Sequence, residues 1–504
     1  MSRKDAHFCS FLCILFYYSL AVTSERALLS WPCRKTVDGR MRGGAVAQTS
    51  ETTEAYQLLA TALQSRLKSE TDELPDADDI VTALQSLAAA QKTFKGLDGA
   101  AHEAYQRTQP QQKIENVSGR ARRSAARLGA TADGLAACEW CDRALHHYDT
   151  ERHQLLLNTT IHSQGIPMRI VVLYEPNYNG GSGADHGGLN EDTISPQRRS
   201  QGRITIVIVE AKPMSLQKCI RILDKEPIHV RTTKDLTNEV ASVQPVLYKS
   251  AAQVLTTVEP FLRAHNNQTA IHFVGHALTG SIAGISAAIL HGSLPMPKDK
   301  KGKRDKTKLD THNATIMETN STSGKTPLQG FGAGRSSAVL LGAPPPFSAN
   351  VDSMFMVSLL YGDDILGRMS HESLDRLLQR TRRAMKSKGL VLKQMNWMRD
   401  TVSLATSNIM SHAYGSEGEE ERLAIPGRAF LIRPRRLGNV CSMHEIGLQL
   451  KGGREALRAA ILWQLHDVLL TKSFWKHHEL NSYIHGLDRV QLRGVNDDDD
   501  DENE

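Results

Sequence analysis

Aromatic residues are scarce in this sequence, at 5% of 504 positions, and its cysteines cannot close a full disulfide framework. Two of the seven, Cys9 and Cys13, sit in an apolar N-terminal stretch, which leaves an odd set of five: Cys33, Cys138, Cys141, Cys219 and Cys441. Core stability must therefore come mainly from packing. The pair in "CEWC" is followed by His146 and His147, but no second C-x-x-C or suitably spaced ligand pair accompanies it. No metal and no cofactor is expected, and the pair is either a local disulfide or two buried thiols. Zinc-finger, RRM and KH signatures are absent as well, so no nucleic-acid partner is expected. Beyond the first 24 residues no apolar run is long enough to span a bilayer.

What is present begins with a basic, apolar, small-residue order in "MSRKDAHFCSFLCILFYYSLAVTSER". That order predicts a signal peptide over 1–24 and a secretory route, ending outside the cell or in an organelle lumen. Five N-x-S/T sequons, at Asn116, Asn158, Asn267, Asn313 and Asn320, fit that route. The formal charge of +6 hides an asymmetry, because the last eight residues hold seven acids, leaving 61 basic against 48 acidic residues elsewhere. The segment 494–504 reads as a solvated, disordered acidic tail.

Residues 25–160 read as a helical accessory region and linker. Helix-period runs occur in "AYQLLATALQSRL" and "DIVTALQSLAAAQKTF", and a basic, Gly/Ala-rich stretch, "GRARRSAARLGATADG", reads as the linker. From 161 to 490 strand-like runs such as "MRIVVLYEP" and "RITIVIVEA" alternate with helical patterns. This predicts an α/β fold with a mostly parallel central sheet flanked by helices. A lysine-rich insertion at about 295–330 interrupts the alternation. It reads as a disordered loop, with Lys298, Lys300, Lys301, Lys303 and Arg304 available for peripheral contact with anionic membrane.

The stretch "AIHFVGHALTGSIAGISAAIL" has the outline of a strand, a sharp turn and a helix. That architecture presents a nucleophile on a tight turn, yet Ala277 stands at the apex, flanked by Gly275, His276, Leu278, Thr279 and Gly280. At these residues the chain resembles the class 3, fungal-lipase-like family, whose elbow is typically GHSLGG. The resemblance continues in order through "SAVLLGAPPPFS", "VSLLYGDDILGRMSHESLDRL", "LAIPGRAFLI" and "FWKHHELNSYIHGL", and covers roughly residues 165 to 487. The P-P-G-R-like segment points to the diacylglycerol-lipase-like branch. The resemblance implies an α/β-hydrolase fold, places Asp364 as the acid that orients the catalytic histidine, and places His478, with Tyr483 five residues on, as that histidine. His477 replaces the aspartate usual before it.

The resemblance also locates what acyl transfer needs and does not find. Alanine at 277 cannot form an acyl-enzyme. Leu278 supplies one oxyanion N–H, but the family's R-G-T turn falls on Ala211, Lys212 and Pro213, and proline has no N–H to give. "SVQPVL" occupies the place of the family's H-x-G-F element. Neither Ser281 nor Thr279 is spaced to serve as the nucleophile. The expected function is thus a lipid-binding pseudoenzyme on the lipase fold, with acyl lipid or acylglycerol as its ligand. Two alternatives remain: an active acylglycerol lipase with displaced catalytic residues, and a protein-interaction scaffold.

Overall fold

The structure, a computed structural model, describes residues 44–67, 75–91, 117–145, 153–176, 202–232, 240–265, 269–297, 328–386, 422–434, 440–446, 467–471 and 473–490. The signal segment, most of the lysine-rich insertion and the acidic tail lie outside the described residues. The chain divides into 1–50 and a compact unit of 51–504.

Runs of β-branched and aliphatic residues bounded by turns build the strands. They are β1 (Gln154–Ser163), β2 (Ile166–Glu175), β3 (Arg203–Glu210), β4 (Ile228–Arg231), β5 (Val240–Val243), β6 (Ala270–His276), β7 (Ser336–Leu341), β8 (Phe347–Ser348), β9 (Met356–Tyr361), β10 (Leu423–Ala424), β11 (Arg428–Pro434) and β12 (Cys441–Ile446). Eight of them form one sheet in the order β1-β2-β3-β6-β7-β9-β11-β12. Its centre, β3-β6-β7-β9-β11, is parallel. The pairs β1–β2, β2–β3 and β11–β12 are antiparallel. A small sheet of β10-β8-β5-β4 lies apart from it in pairing.

Successive side chains of a strand point to opposite faces, so each central strand serves two cores. Ile204, Ile206 and Ile208 of β3 join one buried cluster with residues of α4 (Leu216–Leu223), α5 (Pro245–Ala264), α6 (Ala277–His291) and α7 (His371–Lys386). Val207 and Val209 join the other, with α3 (Val117–Leu145) and α8 (Leu480–Asp488).

The stretch expected to be a linker is therefore helix. Small residues of that stretch are part of the packing surface: Ala130 and Gly134 are buried in line with Ala137, Cys138, Cys141 and Ala144 at helical spacing. A Cβ at Gly134 would come within 2.4 Å of a Leu359 methyl, so α3 lies close enough to the sheet that a larger residue there would have to displace the Leu359 side chain. Cys138 and Cys141 are free thiols facing this core, which settles the choice between disulfide and buried thiols. Burial pushes Cys138 up to about 12 and raises Cys141 well above its ordinary value, the opposite of what a thiolate ligand requires.

The N-terminal helices are likewise part of the main core. Residues 51–67 of α1 (Gly44–Leu67) and α2 (77–91) bury Tyr56, Leu59, Leu63, Ile80 and Leu84 in the first cluster. Asp76 caps α2, its side chain accepting from the Asp78 N–H at 3.3 Å. Gln91 pins a distant segment, donating to the Val468 carbonyl at 3.0 Å and accepting from the Leu470 N–H at 2.7 Å. The expected boundary at 160 also falls inside β1, the outer strand of the main sheet.

Candidate functional site

Strand β6 ends at His276 and helix α6 begins at the next residue, so the chain must reverse within one residue. It does so at Ala277, whose φ is +59°. A residue with a Cβ there carries about 1–2 kcal/mol of backbone strain. The turn is tight enough to demand glycine on both sides. A Cβ on Gly275 would lie 2.6 Å from the Thr279 carbonyl oxygen, and one on Gly280 would lie 3.0 Å from that of Gly275. The elbow is thus fully formed around a methyl group that is 1% exposed.

The later connections bring Asp364 and His478 together beside it. The Asp364 Oδ1 accepts from His478 Nδ1 at 3.0 Å and from the Leu366 N–H at 2.9 Å, while its Oδ2 accepts from the Tyr483 hydroxyl at 2.5 Å. Gly342, at the end of β7, leaves room for this cluster, since a Cβ there would meet Asp364 Oδ2 at 2.4 Å. The His478 ring stacks on His276 with centroids 5.0 Å apart and planes 22° apart. The His276 Nε2–H donates to the His478 carbonyl at 2.9 Å. His276 immediately precedes the apex, so the Asp364–His478 pair packs against the residue before Ala277.

The electrostatics of this cluster follow from burial and pairing. Burial alone would raise the Asp364 carboxyl, but the His478 charge and the hydrogen bonds from His478 and Tyr483 hold it below the usual carboxylate range. Burial works against a charged His478, and the Asp364 carboxylate, helped by Glu210 and Glu479, overrides it and raises the imidazole. His276 is pushed down to about 3, first by burial and then by the charge on His478, so it stays neutral. A buried Asp–His ion pair clamped by Tyr483 thus stacks on the residue that precedes an apex with no hydroxyl.

Substitutes for the missing nucleophile are already engaged. The Ser281 hydroxyl is fully buried and donates to the Pro344 carbonyl at 2.6 Å. The Thr279 hydroxyl donates to the His276 carbonyl at 2.7 Å. His477 turns away: its Nδ1 accepts the Asp363 N–H at 3.0 Å and its ring meets Tyr361 edge-on. Leu278 lies in the first turn of α6, whose leading N–H groups have no intrahelical acceptor. On the other side, Pro213 occupies the exposed loop between β3 and α4.

The sequence did not reveal Glu210. It ends β3 half-buried, its Oε2 accepting the Met214 N–H at 3.2 Å. Burial is the main reason its carboxyl is raised, with His478 and the Met214 N–H pulling the other way. A signal existed, since one acid closes an otherwise aliphatic strand, "RITIVIVE", directly before the loop of interest.

A mostly parallel sheet with helices on both faces, a strained elbow after a central strand, and an acid and a histidine from later connections define the α/β-hydrolase fold. No family model matches the chain, and no curated protein matches it. Among solved structures it is similar to a triacylglycerol lipase from Penicillium expansum, at 10% identity and a TM-score of 0.32, over 69% of this chain and 97% of that one. It is also similar to a lipase from Rhizopus microsporus var. chinensis, at 13% identity and a TM-score of 0.25, over 48% of this chain and 67% of that one.

Proposed function

We propose that this chain is a lipase-like α/β-hydrolase of the class 3 type, near the diacylglycerol-lipase-like branch, that has lost hydrolysis and retains acyl-lipid binding. One observation carries this: Ala277 occupies a strained, intact nucleophile elbow at φ +59°, beside a paired Asp364 and His478. Backbone strain without a local benefit is the residue of a site that once presented a hydroxyl there. Asp364 and His478 take the acid and base positions and Leu278 the position of the single remaining oxyanion donor. Pro213 removes the second.

We further assign residues 1–24 to secretory targeting and the lysine-rich insertion to contact with anionic head groups. No helix among the described residues is long and apolar enough to cross a membrane.

One preparation of the mature protein tests these assignments together. Organic extraction followed by mass spectrometry is expected to recover an acyl lipid or acylglycerol, and intact mass to show the first 24 residues removed. The protein is expected to float with phosphatidylserine vesicles at low salt and to detach as salt screens the basic residues. A lipid-free protein that also ignores vesicles would favour the scaffold alternative.

A further inference from the structure

The parallel register between β3 and β6 places Ile208 opposite Gly275. Two residues further along come Glu210, the last residue of β3, and Ala277, the first residue of α6 just past the end of β6, so both lie at corresponding ends of neighbouring strands. Ile204, Ile206 and Ile208 face the core that also contains Ala277 and Leu278. Glu210 continues that alternation and turns its carboxyl toward the elbow side of the sheet.

In this fold the second oxyanion donor is an N–H from the loop that follows the strand beside the elbow. Here that loop is 211–215, between β3 and α4. The Ala211 N–H donates to the Pro167 carbonyl at 3.0 Å, Pro213 has none, and the Met214 N–H is taken by the Glu210 carboxylate. The chain has thus brought one of its own carboxyl oxygens to the Met214 amide. That oxygen is also one of the groups that hold the charge on His478, together with Asp364 and Glu479. Lys218 is the other cation bearing on Glu210, and the buried Cys219 thiol lies close enough to feel its charge.

We propose that Glu210 is an internal occupant of the oxyanion side of this centre: its carboxylate caps the Met214 amide and faces His478, excluding a carbonyl oxygen that gains negative charge. This rests on the lipase-like assignment above and deepens it. Loss of hydrolysis is then enforced twice, by the methyl at the apex and by a carboxylate that repels the developing oxyanion. It also makes the centre selective against anionic ligand groups such as free carboxylates, since a second buried negative charge beside Glu210 and Asp364 has no partner left.

The test compares Ala277→Ser with the double variant Ala277→Ser/Glu210→Gln, which keeps the side-chain shape and an oxygen for Met214 but removes the charge. Reaction with a fluorophosphonate probe, which forms a phosphonyl ester on the serine oxygen and expels fluoride, is expected to be at least about tenfold faster in the double variant. Independently of any nucleophile, Glu210→Gln in the otherwise unmodified chain should lower the titration midpoint of His478 followed by nitrogen-15 NMR. If Ala277→Ser labels but glutamine at 210 changes neither the rate nor the midpoint, the Glu210 proposal is overturned and the lipase-like assignment survives. If folded protein never labels with either residue at 210 and the midpoint still falls, Glu210 faces His478 as proposed, and the acyl-transfer origin of the centre is what fails.

Discussion

Ala277→Ser is expected to convert a protein inert to fluorophosphonate into one that labels at residue 277. The backbone already holds the left-handed turn that a nucleophile elbow needs, so serine adds a hydroxyl without asking the chain to move. His478 stacks on His276, the residue before the apex, and is fixed in orientation through its Nδ1 bond to Asp364. Its free nitrogen can therefore take the serine proton. Adding His478→Ala should cut the labelling rate of the serine variant by about a thousandfold or more, because the two act as one unit. The rate should rise with pH as His478 loses its proton. Since the surrounding carboxylates raise that imidazole despite burial, the midpoint should lie above the roughly 6.5 of a free histidine. Ester turnover by the same variant should remain poor, with Pro213 and Glu210 opposing the oxyanion. A folded Ala277→Ser protein that never labels would mean that the histidine does not face the apex.

The second large effect falls on stability. Asp364→Ala would strand the His478 imidazolium, the Tyr483 hydroxyl and the Leu366 N–H in the interior, at a cost of about 3–5 kcal/mol. Asp364→Asn keeps the shape but not the charge, and should cost about 1–3 kcal/mol near neutral pH. It should also change the pH dependence. Asp364 is depressed in the folded state, so its contribution is complete above its unfolded value, about 4, and is lost as pH falls through the folded value. His478 is raised, so its contribution is complete below about 6.5 and is lost as pH rises through the folded value. The wild-type profile should therefore slope on both sides, while the asparagine variant is flatter on both. Urea unfolding across pH measures this. A loss under about 1 kcal/mol for the alanine variant would show that the buried pair contributes little.

The elbow, Asp364 and His478 were legible because each sits in a short pattern whose order and spacing the fold fixes. The central sheet was legible because its strands are nearly continuous aliphatic runs. Helix α3 was not. Its buried stripe is alanine, glycine and cysteine, so a search for large apolar residues passes over it, and its glycines and arginines look like a linker. The integration of α1 and α2 was equally hidden, because contacts such as Tyr56 with Leu470 and Gln91 with Val468 join positions 414 and 377 residues apart. Glu210 was missed for a related reason: the acid closing "RITIVIVE" is a local signal, but its meaning comes from the register of β3 against β6, which the sequence alone does not record. Short motifs report the chemistry of a turn, whereas the partners of a surface depend on which elements the fold brings to it.

We infer that an intact elbow and a paired acid and histidine stand here without a working nucleophile. Turnover of a short-chain ester such as p-nitrophenyl butyrate by the purified, unmodified chain, side by side with His478→Ala, tests it most directly. The expected result is no hydrolysis above buffer by either protein. Hydrolysis by the unmodified chain that disappears with His478→Ala would contradict the claim, because it would show that another group near Ala277 carries the nucleophile's role.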